Sequence, residues 1–300
     1  TVDIAVGSTS FSPNGDGVKD KVAISYKLDY PVAYLTGEAL VKIEFLNGSS
    51  EAVWSKVFNQ TAGSYSYEWD GKLSNGLWPD AGEYYLRISA EDPLGSIAVP
   101  VTLPLTVDYT LSQISGLTIT PNPFSPPVSG TTAISFNLSK GAYVSADVRD
   151  PGDQVVRNLC SSQFFNAYVS VSAIKALAIP TLTWDGKDQA GNPVADGSYA
   201  VSFVATDEAG NTTTFNSGIV VDKTSPEAPA IFTLPGDTNE ATLLITGSAE
   251  AGTTVKLYNN DSLSGTTSAD AGGEFSLPTN LVAGTNSLKL TAKDTAVQGQ

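Results

Sequence analysis

The sequence predicts an all-β protein made of three tandem β-sandwiches. Three observations carry that reading. Apolar residues alternate at period two in block after block, the mark of half-buried strands. The 27 Gly and 17 Pro residues place a turn-breaker every few positions. A long block also occurs twice in the same register. It reads W-D-G-K-L-S-N-G-L-W-P-D-A-G-E-Y from Trp69 to Tyr84, and W-D-G-K-D-Q-A-G-N-P-V-A-D-G-S-Y from Trp184 to Tyr199. The match continues without a gap through Asp92 and Gly95, which fall on Asp207 and Gly210. An internal repeat of this length means two copies of one domain.

In the first copy the alternating strands are Val22/Ile24/Tyr26/Leu28, Ala39/Val41/Ile43/Phe45, Tyr65/Tyr67/Trp69 and Tyr84/Leu86/Ile88/Ala90, closed by a run from Ile97 to Val107. Pro100 and Pro104 mark that last run as an edge or a kink. The second copy follows the same order with Ile134/Phe136/Leu138, Val144/Ala146/Val148, Val169/Val171, Leu182/Trp184, Tyr199/Val201/Phe203/Ala205 and Ile219/Val221. One short helix is expected within Ser172–Ala178, an insertion in this copy. The third segment is smaller, with strand pairs at Leu243/Ile245, Val255/Leu257, Phe275/Leu277 and Leu288/Leu290/Ala292. Short strands at this spacing with turns between them predict a sandwich in each segment. The expected domains are 1–110, 111–223 and 224–300. The linker Ser225-Pro226-Glu227-Ala228-Pro229 is stiff, since Pro favours extended backbone, so a rod is expected rather than beads on a string.

Composition excludes several functions. The chain carries 16 Lys plus Arg against 31 Asp plus Glu, a net charge of −15. Every expected domain is negative: 7 against 14, 6 against 9 and 3 against 8. None offers the basic face that a phosphate backbone requires, so no nucleic-acid partner is expected. No run is long enough for a membrane-spanning helix, and no membrane insertion is expected in this fragment. The sequence has no His, which removes a Ser-His-Asp triad, a Cys-His pair and imidazole-bound metal. The acids stand mostly in turns beside Gly, and no Gly-rich phosphate loop lies between a strand and a helix. No enzyme activity is expected. Cys160 is the single cysteine, so no intrachain disulfide can form, and its place at the end of the run Val155–Cys160 reads as a small core residue. Thr1 starts in mid-pattern, as expected of a piece of a longer exported chain. Five sequons, at Asn47, Asn59, Asn137, Asn211 and Asn260, fall within the chance rate for a chain rich in Asn, Ser and Thr.

The repeated Trp-Asp-Gly has a structural explanation. The Trp closes one end of a core, the Asp caps the next turn, and the Gly supplies positive φ. Trp78 has no counterpart in the second copy, where Pro193 stands, which makes it a candidate contact residue. The strongest chemical signal is Ser12-Pro13-Asn14-Gly15-Asp16-Gly17-Val18-Lys19-Asp20. Asn14, Asp16 and Asp20 occupy positions 1, 3 and 7 of a Gly-rich loop, and the Val18 carbonyl could add a further oxygen, a pattern suited to calcium. A hairpin loop using Asn-Gly and Asp-Gly turns explains the same residues. The counterpart Pro126–Gly130 is shorter and has no carboxylate, so the scaffold does not need these acids to fold. The turns Asp207–Asn211 and Lys187–Asn192 read as turn chemistry first and inter-domain cation sites second. The long run Ile97–Val107, with Val101 and Leu103, is the candidate edge for pairing with a neighbour.

The two Trp-Asp-Gly elements, each followed by G-x-Y at a fixed distance, resemble the immunoglobulin-like domain of the flagellar hook-capping protein. The openings Phe11-Ser12-Pro13 and Pro121-Asn122-Pro123-Phe124-Ser125-Pro126 fit that family. The pattern G-x-A-E-x-G-x-T-V-x-L-Y from Gly247 to Tyr258 is similar to the bacterial Ig-like repeats of large surface proteins. These resemblances imply three immunoglobulin-like sandwiches in an elongated array and supply no catalytic residue. The expected role is a non-catalytic spacer, adhesin stalk or fibre subunit at a bacterial cell surface or outside the cell. Its expected partners are copies of itself or other surface proteins, and also polysaccharide. The alternatives are a carbohydrate-binding stalk of a secreted hydrolase and a hook-cap-like scaffold.

Overall fold

In the computed structural model of the chain, residues 2–29, 37–167 and 179–294 are described. The first unit has strands β1 (Val2–Val6), β2 (Ser10–Phe11), β3 (Val22–Leu28), β4 (Ala39–Leu46), β5 (Ala52–Gln60), β6 (Gly63–Trp69), β7 (Gly82–Glu91) and β8 (Val101–Val107). They form two sheets, ordered β1-β3-β6 and β2-β8-β7-β4-β5. All pairs are antiparallel except β2 with β8, where Phe11 lies opposite Val107 in parallel. Strand β3 alternates buried and exposed at every position, so its apolar residues face one way into the space between the sheets.

The second unit repeats this topology. Its strands are β9 (Ile114–Thr120), β10 (Thr132–Leu138), β11 (Ala142–Arg149), β12 (Val155–Phe165), β13 (Thr181–Trp184), β14 (Gly197–Thr206) and β15 (Thr212–Val221). The sheets are β9-β10-β13 and β12-β11-β14-β15. The parallel bridge of Phe124 to Val221 stands where β2 meets β8 in the first unit. The two Trp-to-Tyr blocks do not share an interior. Trp69 packs in a cluster running from Val2 to Val107, Trp184 in one running from Ile114 to Val221.

The third unit has β16 (Ala230–Ile231), β17 (Thr242–Ser248), β18 (Thr254–Asn259), β19 (Ser262–Ser268), β20 (Glu274–Asn280) and β21 (Leu288–Lys293), in sheets β16-β17-β20 and β19-β18-β21. Its buried centre is small: Ile245, Val255, Leu257, Phe275 and Leu277. Gly247 lies against the Ala230 carbonyl and the Phe275 ring, where a side chain would not fit.

Two expectations meet differences, and a third lies beyond what is described. The run Ile97–Val107 is not one strand. Ile97 makes a single bridge to Glu91, and the strand begins only at Val101. Pro100 has no N–H to continue the ladder, and Ile97 and Val99 are exposed. The four-residue helix α1 (Pro126–Ser129) occupies the short loop of the second copy. The helix expected within Ser172–Ala178, and the strand at Val169 and Val171, lie outside the described residues.

Candidate functional site

The repeated Trp-Asp-Gly elements are spent on the cores. Trp69 and Trp184 are each 1% exposed. Their indole Nε1 groups donate to the carbonyls of Lys72 and Lys187, both at 2.9 Å. Asp70 and Asp185 each accept the amide two residues on, at 3.2 Å, as capping acids do. Gly71 and Gly186 have φ of 80° and 71°. A methyl on Gly71 would sit 2.8 Å from Pro13 Cβ, and one on Gly186 would overlap the Pro126 ring. The two tyrosines ending the blocks also match: Tyr84 donates to the Asp80 carbonyl at 3.1 Å and Tyr199 to that of Ala195 at 3.0 Å. Phe11 meets Trp69 edge-on and Phe124 meets Trp184 at a tilt, with centroids at 5.7 and 5.5 Å.

The Ser12–Asp20 loop is held by its own side chains. Asn14 Oδ1 accepts the Asp16 amide at 2.9 Å, and Asp16 Oδ1 accepts the Val18 amide at 2.7 Å. The Asp20 carboxylate accepts Gly15 and Gly17, at 2.7 and 2.6 Å. Asn14 Nδ2 donates to Asp16 Oδ2 at 3.1 Å. The structure therefore brings Asn14, Asp16 and Asp20 together, as their spacing suggested. Their oxygens accept backbone amides, as a loop built on Asn-Gly and Asp-Gly turns requires. Val18 faces elsewhere. Its side chain and carbonyl lie against Gly210 of the second unit, where a methyl would come within 2.9 Å of Val18 Cγ1. Among the described residues no three His, Cys, Asp or Glu side chains are grouped to hold a metal.

The other candidates stand on different elements. Trp78, in the turn between β6 and β7, is 43% exposed, and Lys72 Nζ lies 5.0 Å from its ring centroid. Val101 and Leu103 pair with Ile88 and Leu86, both buried. Residues directly opposite in a sheet share a face, so Val101 and Leu103 lean toward the core, half-buried. The exposed positions of this stretch are Thr102 and Pro104. Part of the β8 edge is open, since β2 covers only Thr106 and Val107.

One set of residues had no motif to announce it. Lys140, in the turn between β10 and β11, places its ammonium 2.7 Å from Asp108 Oδ2, 2.6 Å from Asp207 Oδ2 and 3.1 Å from Thr110 Oγ1. All three of its donors are matched. Burial works against the charged forms, but the pair outweighs it. Asp108 is held below the usual carboxylate range by Lys140 and by the hydroxyl and amide of Thr110, and Lys140 is raised by the two aspartates. Asp207 is almost fully buried and also accepts the Asn211 amide at 3.0 Å. Asn211 Nδ2 donates to the Asp108 carbonyl at 2.8 Å. Lys140 thus brings a positive charge to the Asp207–Asn211 turn. Only the turn itself was legible as a Gly-Asn punctuation; Lys140 carried no pattern.

No helix among the described residues is long and apolar enough to cross a membrane. No curated protein matches the chain. Among solved structures, one concerning host cell surface retention of a 1.5-MDa bacterial ice-binding adhesin is 17% identical, covering 100% of this chain and 94% of that one, with a TM-score of 0.42. The fibronectin(III)-like modules of Clostridium thermocellum CbhA are 14% identical over 74% and 93%, with a TM-score of 0.36. Chicken CNTN1 FN1-FN3 domains are 12% identical over 98% and 93%, with a TM-score of 0.30. These are distant likenesses, and the fold described above rests on the strand pairing itself. In the third unit, residues 225–298 match the family model of a bacterial Ig domain.

Proposed function

We propose that this chain is a non-catalytic structural module of a bacterial cell-surface or extracellular protein, serving as a spacer, adhesin stalk or fibre subunit. The units at 1–110, 111–223 and 224–300 stand in a row. The observation that carries the reading is the fate of the repeated motif. Trp69 and Trp184, the first residues of the two blocks, are each buried in a hydrophobic core, with their indole Nε1 groups bonded to the carbonyls of Lys72 and Lys187. A motif kept twice for packing describes a building unit. The bacterial Ig match at 225–298 supports the same class. Antibody against the purified chain is expected to label intact cells of the source bacterium; labelling only after lysis would remove the surface reading.

Self-association through the β8 edge is part of this proposal. Val101 and Leu103 are half-buried, so the cleaner variant is Thr102→Lys on the exposed side. Concentration-dependent sedimentation is expected to weaken with it, and unchanged assembly would discard the edge. The Trp78 indole favours a second reading, a polysaccharide contact on a stalk, because a partly exposed ring is a stacking surface. Glycan binding that survives Trp78→Ala would refute that reading. The hook-capping resemblance of the first two units supports an assembly role, and it would be weakened by the absence of flagellar genes beside the coding gene.

A further inference from the structure

We infer that the Ser12–Asp20 loop is an inter-domain latch: with Lys140, it locks the first two units into one stiff body, while Lys223 and Thr224 ahead of the third unit bond back to the second. This goes beyond the spacer reading, which requires only that the units follow one another.

Four contacts make the latch. Val18, half-exposed at the tip of the loop, lies against Gly210, where a methyl would come within 2.9 Å of Val18 Cγ1. Lys19 Nζ donates to the Glu208 carbonyl. Asn211 Nδ2 reaches back to the carbonyl of Asp108, at the start of the linker. Lys140 joins Asp108 to Asp207. Apolar, charged and backbone contacts therefore meet on one turn of the second unit. Ordinary inter-domain contacts leave relative motion as the default. Here a nearly buried carboxylate needs its lysine, and that lysine also binds the linker.

The asymmetry between the copies follows from the same geometry. Asp222, Lys223 and Thr224 are the counterparts of Asp108, Tyr109 and Thr110. Their bonds run back into the second unit: Lys223 Nζ to the Val194 carbonyl at 2.7 Å and to Asp196 at 3.3 Å, and Thr224 Oγ1 to Asp196 at 2.7 Å. Each linker is tied to the unit it leaves, Lys223 to the Val194 carbonyl and Tyr109 to that of Pro79 at 3.0 Å, but Asp108 is also tied to the unit that follows. The loop is long and self-braced in the copy that has a turn to dock on. In the other copy it is reduced to the four-residue helix α1. The internal hydrogen bonds of Asn14, Asp16 and Asp20 hold Val18 and Lys19 in position to dock.

The test is pulsed electron–electron double resonance on the full chain in a Cys160→Ala background. Spin labels go on exposed outer positions, Ser66→Cys, Thr183→Cys and Ser276→Cys. The 66–183 distance distribution is expected to be narrow, and narrower than the 183–276 distribution. Lys140→Met or Val18→Asp is expected to widen the first by about twofold, toward the independent motion of ordinary domain pairs, and to leave the second unchanged. Val18→Asp touches neither core, so it keeps the test meaningful should Lys140→Met unfold the second unit. A native 66–183 distribution as broad as 183–276 would overturn the proposal, as would a narrow one that both variants preserve. The same measurement with chelator separates a protein latch from a cation-held one. An unchanged narrow distribution supports the direct contacts, and broadening on chelation overturns them.

Discussion

Gly186→Ala isolates the reason the repeated Trp-Asp-Gly element needs its glycine. Two costs act at this position. An Ala held at φ of 71° pays about 1–2 kcal/mol for the left-handed region. Its methyl also overlaps the Pro126 ring, and overpacking of that kind costs roughly 1–3 kcal/mol. Gly191 supplies the control in the same unit. Its φ is 87°, yet a methyl there meets nothing within 4 Å, so Gly191→Ala pays only the backbone cost. Both substitutions stiffen the unfolded chain alike, so that effect cancels in the comparison. The expected difference is ~2 kcal/mol, about a 30-fold difference in an opening equilibrium. Hydrogen–deuterium exchange mass spectrometry on peptides covering β10 and β14 reads it directly, without assuming that the whole chain unfolds in one step. Equal loss of protection in the two variants would refute the idea that close approach of Pro126 dictates the glycine.

Three further outcomes are expected. Because the oxygens of Asn14, Asp16 and Asp20 already accept amides, the melting temperature should be the same with and without chelator. A chelator-sensitive transition that Asp16→Ala abolishes would instead assign calcium to this loop. The Lys140 clamp should be pH-dependent at both extremes. The lowered Asp108 contributes stability above its unfolded pKa of about 4 and loses it as pH falls through the folded value, while the raised Lys140 contributes below about 10.4 and loses it as pH rises through its own. Urea midpoints should therefore be flat between those limits and fall outside them, with a smaller acid loss in Lys140→Met; an identical acid loss would refute the clamp. Burial pushes the Cys160 thiol up, and it donates to the Val144 carbonyl, so an aromatic disulfide reagent should label it only in denaturant, and rapid native labelling would contradict that.

What could be read from the sequence and what could not divides along a physical line. Strands with one face in the core announced themselves, as β3, β10 and β20 did, because every second side chain must be apolar. Strands β5 and β19 did not, since they have no fully buried residue and their burial does not alternate strictly, so any residue with modest β preference serves at many of their positions. The run Ile97–Val107 misled for the opposite reason. Its alternation continues past the point where Pro100 ends the ladder. At the loop, the three oxygen-bearing residues were legible from spacing, but their bonds to the amides of Gly15, Asp16, Gly17 and Val18 appear only in the structure.

The sequence alone determined the all-β class, the duplicated sandwich and the packing role of Trp69 and Trp184, all of which follow from local periodicity and turn chemistry repeated at a constant offset. Only the tertiary structure decided which edges are open, that Val101 and Leu103 lean inward, and that Lys140 joins Asp108 to Asp207. Those outcomes depend on segments far apart in the chain meeting at one orientation. Asn211 and Asp108 are 103 residues apart, and no periodic signal spans that distance, because the energy that joins them exists only once both sandwiches have formed.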